Sequence, residues 1–387
     1  MQIPNKFSIL ECERQLEKIT HALGAHDLTM SVELRHRAAG GEAALAQLLI
    51  TWAKLPHQGR ILVKSKDTSD AALRDLVRRP YVCLAALLNR RVIESYSGKD
   101  ITVEIYNAAR DLISTSHETR YADISKFKGQ FIGIICDDHH GYNTPSQFYT
   151  ENSNGETILR PLDDIQLLMY NVFDELTHNP NHRQIDDKLM SDLAGCIFEL
   201  FCNTHEHATR DINNLAIKLS NRGVYIQRNS LLIQAWKNVA GDYEPLANFI
   251  NRIAAEKSGT LQMFEISVFD SGLGMAENWL KRPLASIDIE EERNAVETCF
   301  KEGKTTKRHG RYGQGLPAVI QHLRSQGAFL RLRTGRLSAY SDLGLERDRA
   351  IADPVNLHYW GWQGGIRAPH AAGTLLTLLI PIRVENQ

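Results

Sequence analysis

A chain of 387 residues exceeds what one ordinary hydrophobic core holds, so about two domains of roughly 150 residues are expected. Hydrophobic residues at 43% and charged residues at 24% exclude wholesale disorder, and 45 basic against 46 acidic side chains exclude a global basic field for nucleic acid. No apolar run approaches the ~20 residues of a membrane span. Acidic residues follow too soon after Met1 for a secretory leader, so a cytoplasmic protein without a membrane partner is expected.

Cys12, Cys83, Cys136, Cys196, Cys202 and Cys299 are scattered, with no Cys-x-x-Cys pair, which predicts reduced thiols rather than a disulfide framework. Residues 1–155 read as a mixed α/β N-terminal domain to which no role is assigned; regulation, partner binding and oligomerisation are all open. Its predicted elements are a charged helix near Cys12 to Leu23, a strand at Arg60 to Lys64, and a helical stretch from Ser69 to Leu88 interrupted by Pro80. A buried strand at Phe131 to Cys136 closes it, before loop chemistry from Asp137 to Pro145. The polar run Glu151 to Glu156 is the natural linker to a second domain, residues 156–387.

In the second region Pro161 to Leu176 reads as a helix. Leu189, Leu193, Ile197 and Leu200 recur at helical spacing, predicting an amphipathic helix from Asp187 to about His207. Phe264, Ile266 and Val268 alternate with polar residues, a strand that delivers Asp270 at its end. A helix from Pro317 to Ser325 and strands at Phe329 to Thr334 and Leu375 to Ile380 complete the pattern. Helices layered on one face of a mixed sheet satisfy this order.

Four segments carry candidate chemistry. Glu199 and Asn203 stand at i, i+4 on one helix, where a carboxylate can polarise water and a carboxamide can offer oxygen to Mg²⁺; a solvated helix face is the plainer reading. Asp270-Ser-Gly272-Leu-Gly274-Met275 follows an apolar strand, so Asp270 is a strand-end acceptor suited to an exocyclic amine, or the start of an ordinary turn. Gly310-Arg-Tyr-Gly313-Gln-Gly315-Leu316 precedes a helix and can present backbone N–H groups to phosphate, although its order differs from the dinucleotide fingerprint. Gly373-Thr374 opens the last strand.

Taken in order, these segments resemble the GHKL superfamily of ATPases: gyrase-type topoisomerases, heat-shock chaperones, histidine kinases and mismatch-repair ATPases. The resemblance covers about residues 160 to 383. It implies a GHKL-type ATPase domain, a two-layer α/β sandwich of a mixed sheet and helices, with ATP and Mg²⁺ as cofactors. It implies that Glu199 aligns the attacking water, Asn203 coordinates Mg²⁺, and Asp270 reads adenine with Thr374 in support. Gly272, Gly274 and Met275 would then line the base, and Gly313, Gly315 and Leu316 the phosphates, under a lid carrying Lys304 and Lys307. The implied activity is Mg²⁺-dependent ATP binding and slow hydrolysis driving a conformational switch, with a protein partner or a homodimer as its readout. A protein kinase on the same site, of serine or histidine type, and a non-catalytic ATP sensor stay open.

Gly303-Lys-Thr-Thr is not a P-loop end, because Thr298 stands where the first glycine is required. The histidine pairs 139/140, 178/182 and 205/207 have no carboxylate or cysteine at a supporting spacing, so no zinc site is expected. The aromatic cluster Tyr359 to Trp362 reads as packing, and nucleic acid is not indicated.

Overall fold

The computed structural model describes residues 1–21, 26–34, 38–56, 58–88, 91–118, 127–128, 131–177, 187–255, 259–301, 316–349, 353–361 and 365–382. The first region runs α1 (Ile9–Thr20), β1 (His26–Ser31), α2 (Gly41–Ala53), β2 (Gln58–Lys64), α3 (Asp70–Val77), α4 (Pro80–Leu88), β3 (Val92–Glu94) and α5 (Thr102–Glu118). Strands β1, β2 and β3 form a parallel sheet in that order. The Ser69 side chain accepts from the Ala72 amide and starts α3. Pro80 opens α4, where its fixed φ fits and its missing N–H costs nothing. Helices α2 and α4 are buried at every position, so neither shows an amphipathic period in the sequence.

The chain continues through β4 (Phe131–Asp137), β5 (Tyr149–Glu151), β6 (Thr157–Leu159), α6 (Leu162–Thr177), α7 (Asp187–His207), β7 (Asn221–Leu232), α8 (Ile233–Ala240), α9 (Glu244–Ala255) and β8 (Thr260–Asp270). It ends with α10 (Met275–Leu280), α11 (Ile289–Cys299), α12 (Leu316–Gln326), β9 (Phe329–Asp342), β10 (His358–Tyr359) and β11 (Arg367–Pro381). A six-stranded sheet has the order β10-β9-β11-β8-β7-β4.

Three expectations change here. Every pairing in the six-stranded sheet is antiparallel, so the sheet is not mixed; among the described residues the parallel ladders are those of β1-β2-β3, to which Gln2 adds one parallel bridge at Thr29. Strand β4, read with the N-terminal region, is the edge of this larger sheet, paired with β7 from Phe131↔Gln227 to Asp137↔Asn221. The polar run 151–156 is the turn of the β5-β6 hairpin rather than a linker, with the Asn152 carboxamide accepting from the amides of Asn154 and Glu156.

Both faces of the sheet are covered, giving three layers where two were expected. Ile266, Val268, Leu330, Leu332, Leu376 and Leu378 pack with α6, α7 and α12 on one face. On the other, Phe269, Ala371 and Leu375 join the core built on α1, α2, α4 and α5, while Leu261, Met263 and Leu379 pack on α8 and α9. Side chains alternate across a strand, so adjacent residues of β8 serve opposite layers.

The N-terminal region is tied to the sheet by buried polar contacts. Glu13 of α1 is fully buried and takes Arg331 Nη2 at 2.9 Å and Arg333 Nε at 3.0 Å, both from β9. Helix α2 is anchored at both ends to β8: Glu265 accepts from the backbone of Ala39 and Gly40 at its start, and Lys54 at its finish donates to the carbonyl of Ser271. The lengths match, since 13 helical residues rise about 20 Å and the strand from Glu265 to Ser271 spans about 20 Å.

Candidate functional site

One polar row crosses the end of an otherwise apolar sheet face. Arg222 of β7 pairs with Asp270 of β8, Asp270 with Thr374 of β11, and Thr374 with Thr334 of β9. The next row inward on this face is Val224, Val268, Leu376 and Leu332, all in the core beneath α7. By alternation the polar row therefore faces the α7 layer.

Asp270 is buried, and its Oδ1 accepts the Gly272 N–H at 2.7 Å. Burial pushes its carboxyl up to about 6, against the Gly272 bond, the Lys54 ammonium, the Thr374 amide and the Arg222 guanidinium. Arg222 is itself held bidentately by Asp138, at 3.0 and 3.3 Å from Nε, and lies 5.0 Å over the Phe201 ring of α7. Thr334 Oγ1 accepts the Met275 N–H at 3.0 Å and stands 3.4 Å from Thr374 Oγ1.

The glycines have steric causes. A Cβ on Gly272 would lie 2.9 Å from the Cα of Ala208, just beyond α7, and 2.9 Å from Asp270 Oδ1. Gly373 has φ +71, where β11 shifts register between Ala371 and Thr374, and a Cβ there would lie 1.9 Å from the Asp270 carbonyl oxygen. The turn after Asp270 thus abuts the end of the helix that carries Glu199 and Asn203. Glu199 is buried and Asn203 half-buried, one turn apart on α7.

Helix α12 lies antiparallel beside α7. His322 Nδ1 meets Asp192 at 2.6 Å and Cys196 Sγ reaches the Val319 carbonyl at 3.8 Å, so the start of α12 at Leu316 runs toward the Glu199 turn. Lys304, Lys307, Gly313 and Gly315 lie outside the described residues. Asp270, Gly272, Gly274, Met275 and Thr374 come together as one cluster, with the Glu199–Asn203 helix packed against its turn.

Sequence reasoning missed four residues here. Arg222 sits in a strand whose pattern is not alternating, and Thr334, in a strand the sequence did show, joins the polar row only through its register with Thr374. Lys54 comes from a helix without a period, and burial pulls its ammonium pKa down beside Asp270 and Glu277. Asp137 converges with His139 and His140, supplying the carboxylate whose lack set that pair aside. Among the described residues no helix is long and apolar enough to cross a membrane. The chain matches no known protein-family model, and no curated protein or solved structure shows significant similarity to it.

Proposed function

We propose that the chain binds ATP with Mg²⁺ between the polar row and α7, and hydrolyses it slowly as a nucleotide-driven switch in a GHKL-type domain. The observation that carries this reading is the in-register row Asp270, Thr374 and Thr334, set on the α7 face beside the Gly272 turn. A buried carboxylate at a strand end accepts from an exocyclic amine, and glycines at 272 and 274 let the turn that presents it pack closely on Ala208 and Thr334. Asn203 fits Mg²⁺ as a lone oxygen donor, because that ion keeps waters and substrate phosphates as its other ligands. Bound Mg²⁺ would neutralise phosphate charge; Glu199 would orient water, and the start of α12 would face the phosphates with its backbone N–H groups.

The test is ATP binding and phosphate release for wild type, Glu199→Ala and Asp270→Ala. The reading expects turnover by wild type, binding without turnover by Glu199→Ala, and no binding by Asp270→Ala. Failure of the wild type to bind ATP overturns it.

A further inference from the structure

The strongest unassigned feature lies at the end of edge strand β4, on the sheet face opposite the polar row. Beyond Asp137 the chain makes a single 3-10 turn over Asp138–His140 and closes back on itself. Asp137 N–H donates to the Tyr142 carbonyl at 2.7 Å, Tyr142 N–H to the Asp137 carbonyl at 3.1 Å, and Gly141 takes φ +87. This closure brings both imidazoles onto one carboxylate. His139 Nδ1 lies 2.7 Å from Asp137 Oδ1, and His140 Nδ1 lies 2.7 Å from Oδ2, with the two rings 4.0 Å apart.

The charge balance is unusual. Asp137 has no solvent exposure, and a buried carboxylate is costly without a cation. The adjacent guanidinium, Arg222, is already bound to Asp138. Among the described residues the ion partners of Asp137 are these two imidazoles, and the three side chains bring their ligand atoms within 4.8 Å of one another. Beside the cluster Asn221 is fully buried and its Nδ2 donates to Asp137 Oδ1 at 3.2 Å, while its Oδ1 has no hydrogen-bond partner among the described residues.

We propose that Asp137, His139 and His140 bind one divalent transition-metal ion of the zinc class. The ion places positive charge against the buried carboxylate and takes Nδ1 of each histidine as a ligand, with His139 Nδ1 turning from the Ser220 carbonyl 3.1 Å away. Two imidazoles and a carboxylate suit zinc, iron, nickel or copper rather than Mg²⁺ or Ca²⁺. Zinc bonds near 2.0 Å in a tetrahedron set ligand atoms about 3.3 Å apart, so the present 2.7 Å contacts open by about half an ångström on binding. The fourth position falls to water, or to the Asn221 carboxamide oxygen after a flip of its amide. Tyr106 of α5 edges the His140 ring at 5.1 Å, so the ion pins the β4 turn against the N-terminal layer. The site stands independently of nucleotide binding.

The experiment uses the tag-free full chain stripped with a chelator. Zn²⁺ is titrated by calorimetry and Co²⁺ by visible absorption, with His139→Ala, His140→Ala and the exposed control His21→Ala. His140 is partly exposed, so its truncation tests the ligand role without opening the core. One equivalent of Zn²⁺ bound at micromolar or tighter affinity, with intense four-coordinate Co²⁺ bands, is expected for wild type and His21→Ala and lost in both ligand variants. Absence of stoichiometric binding by wild type, or binding that survives both ligand substitutions, overturns the proposal.

Discussion

Lys54, the residue that ends α2, donates from Nζ to the main-chain carbonyl of Ser271 and lies 3.4 Å from that of Gly272. The N-terminal layer thus holds, from behind the sheet, the turn whose front surface carries Asp270. The neighbouring contacts agree: the Ala372 amide donates to Thr51 Oγ1 at 2.9 Å, and Gln47 Nε2 donates to the Arg333 carbonyl at 3.0 Å. Lys54→Met keeps the apolar stem and removes the donor. It should cost about 1–3 kcal/mol in urea unfolding, the penalty for leaving enclosed carbonyls unmatched. An unchanged unfolding midpoint would show that water replaces the ammonium.

The Glu13 contact to Arg331 and Arg333 should be the most expensive to break from one side. All three side chains are buried, so Glu13→Ala leaves two enclosed guanidinium groups without a counter-charge, costing on the order of 3–5 kcal/mol. Replacing all three by apolar residues of similar volume should restore much of that loss. Thermal unfolding of the single and triple variants distinguishes an uncompensated charge from lost packing.

Glu265 gives the stability a definite pH sign. Burial, opposed by bonds from Gln227 and the backbone at Gly40 and Ala39, pushes its carboxyl up to about 7. The unfolded chain releases this proton near the ordinary glutamate value while the folded chain keeps it until about 7. Stability is therefore full below that ordinary value and falls as pH rises through 7, by on the order of 3 kcal/mol. Denaturant melts of wild type and Glu265→Gln between pH 5 and 8 check this, because the glutamine form should lose that slope while keeping an acceptor at the start of α2.

Asp270 adds a ligand-side pH effect under the proposed function. An ionised carboxylate is the better acceptor for an amine N–H, and this one protonates at about 6. ATP affinity should fall as pH drops below about 6, measured by calorimetry at constant ionic strength. A flat affinity from pH 5 to 8 would remove Asp270 from base recognition.

Gly373→Ala and Gly98→Ala separate collision from backbone preference. Both glycines have positive φ, +71 and +73, but the added Cβ meets the Asp270 carbonyl at 1.9 Å in one case and open space in the other. Gly98→Ala should cost about 1–2 kcal/mol for the left-handed conformation alone. Gly373→Ala should cost clearly more and disrupt the β11-β8 pairing, visible as lost amide protection at Thr374 and Asp270.

The sequence by itself determined the elements whose apolar residues recur with a regular period. Helix α7 was legible from Asp187 to His207 by its helical spacing, and β8 was legible up to Asp270 because Glu265 and Ser267 alternate with Phe264, Ile266 and Val268, although both faces of the strand are covered. It also placed Asp270, Gly272 and Gly274 at element ends, since glycine and aspartate mark where regular structure stops, but Gly373 and Thr374, read as opening the last strand, lie inside β11 at a register shift. Elements without a period were invisible: α2 carries none because no face of it meets water, and β7 runs from buried polar residues into half-exposed ones. Only the tertiary structure decided that β4 leaves the N-terminal region for the larger sheet. Only register put Arg222, Asp270, Thr374 and Thr334 in one row, and only the closure at Tyr142 turned Asp137 toward His139 and His140. These are pairings between segments far apart in the chain, or between side chains that a single turn folds together, and local spacing contains neither distance.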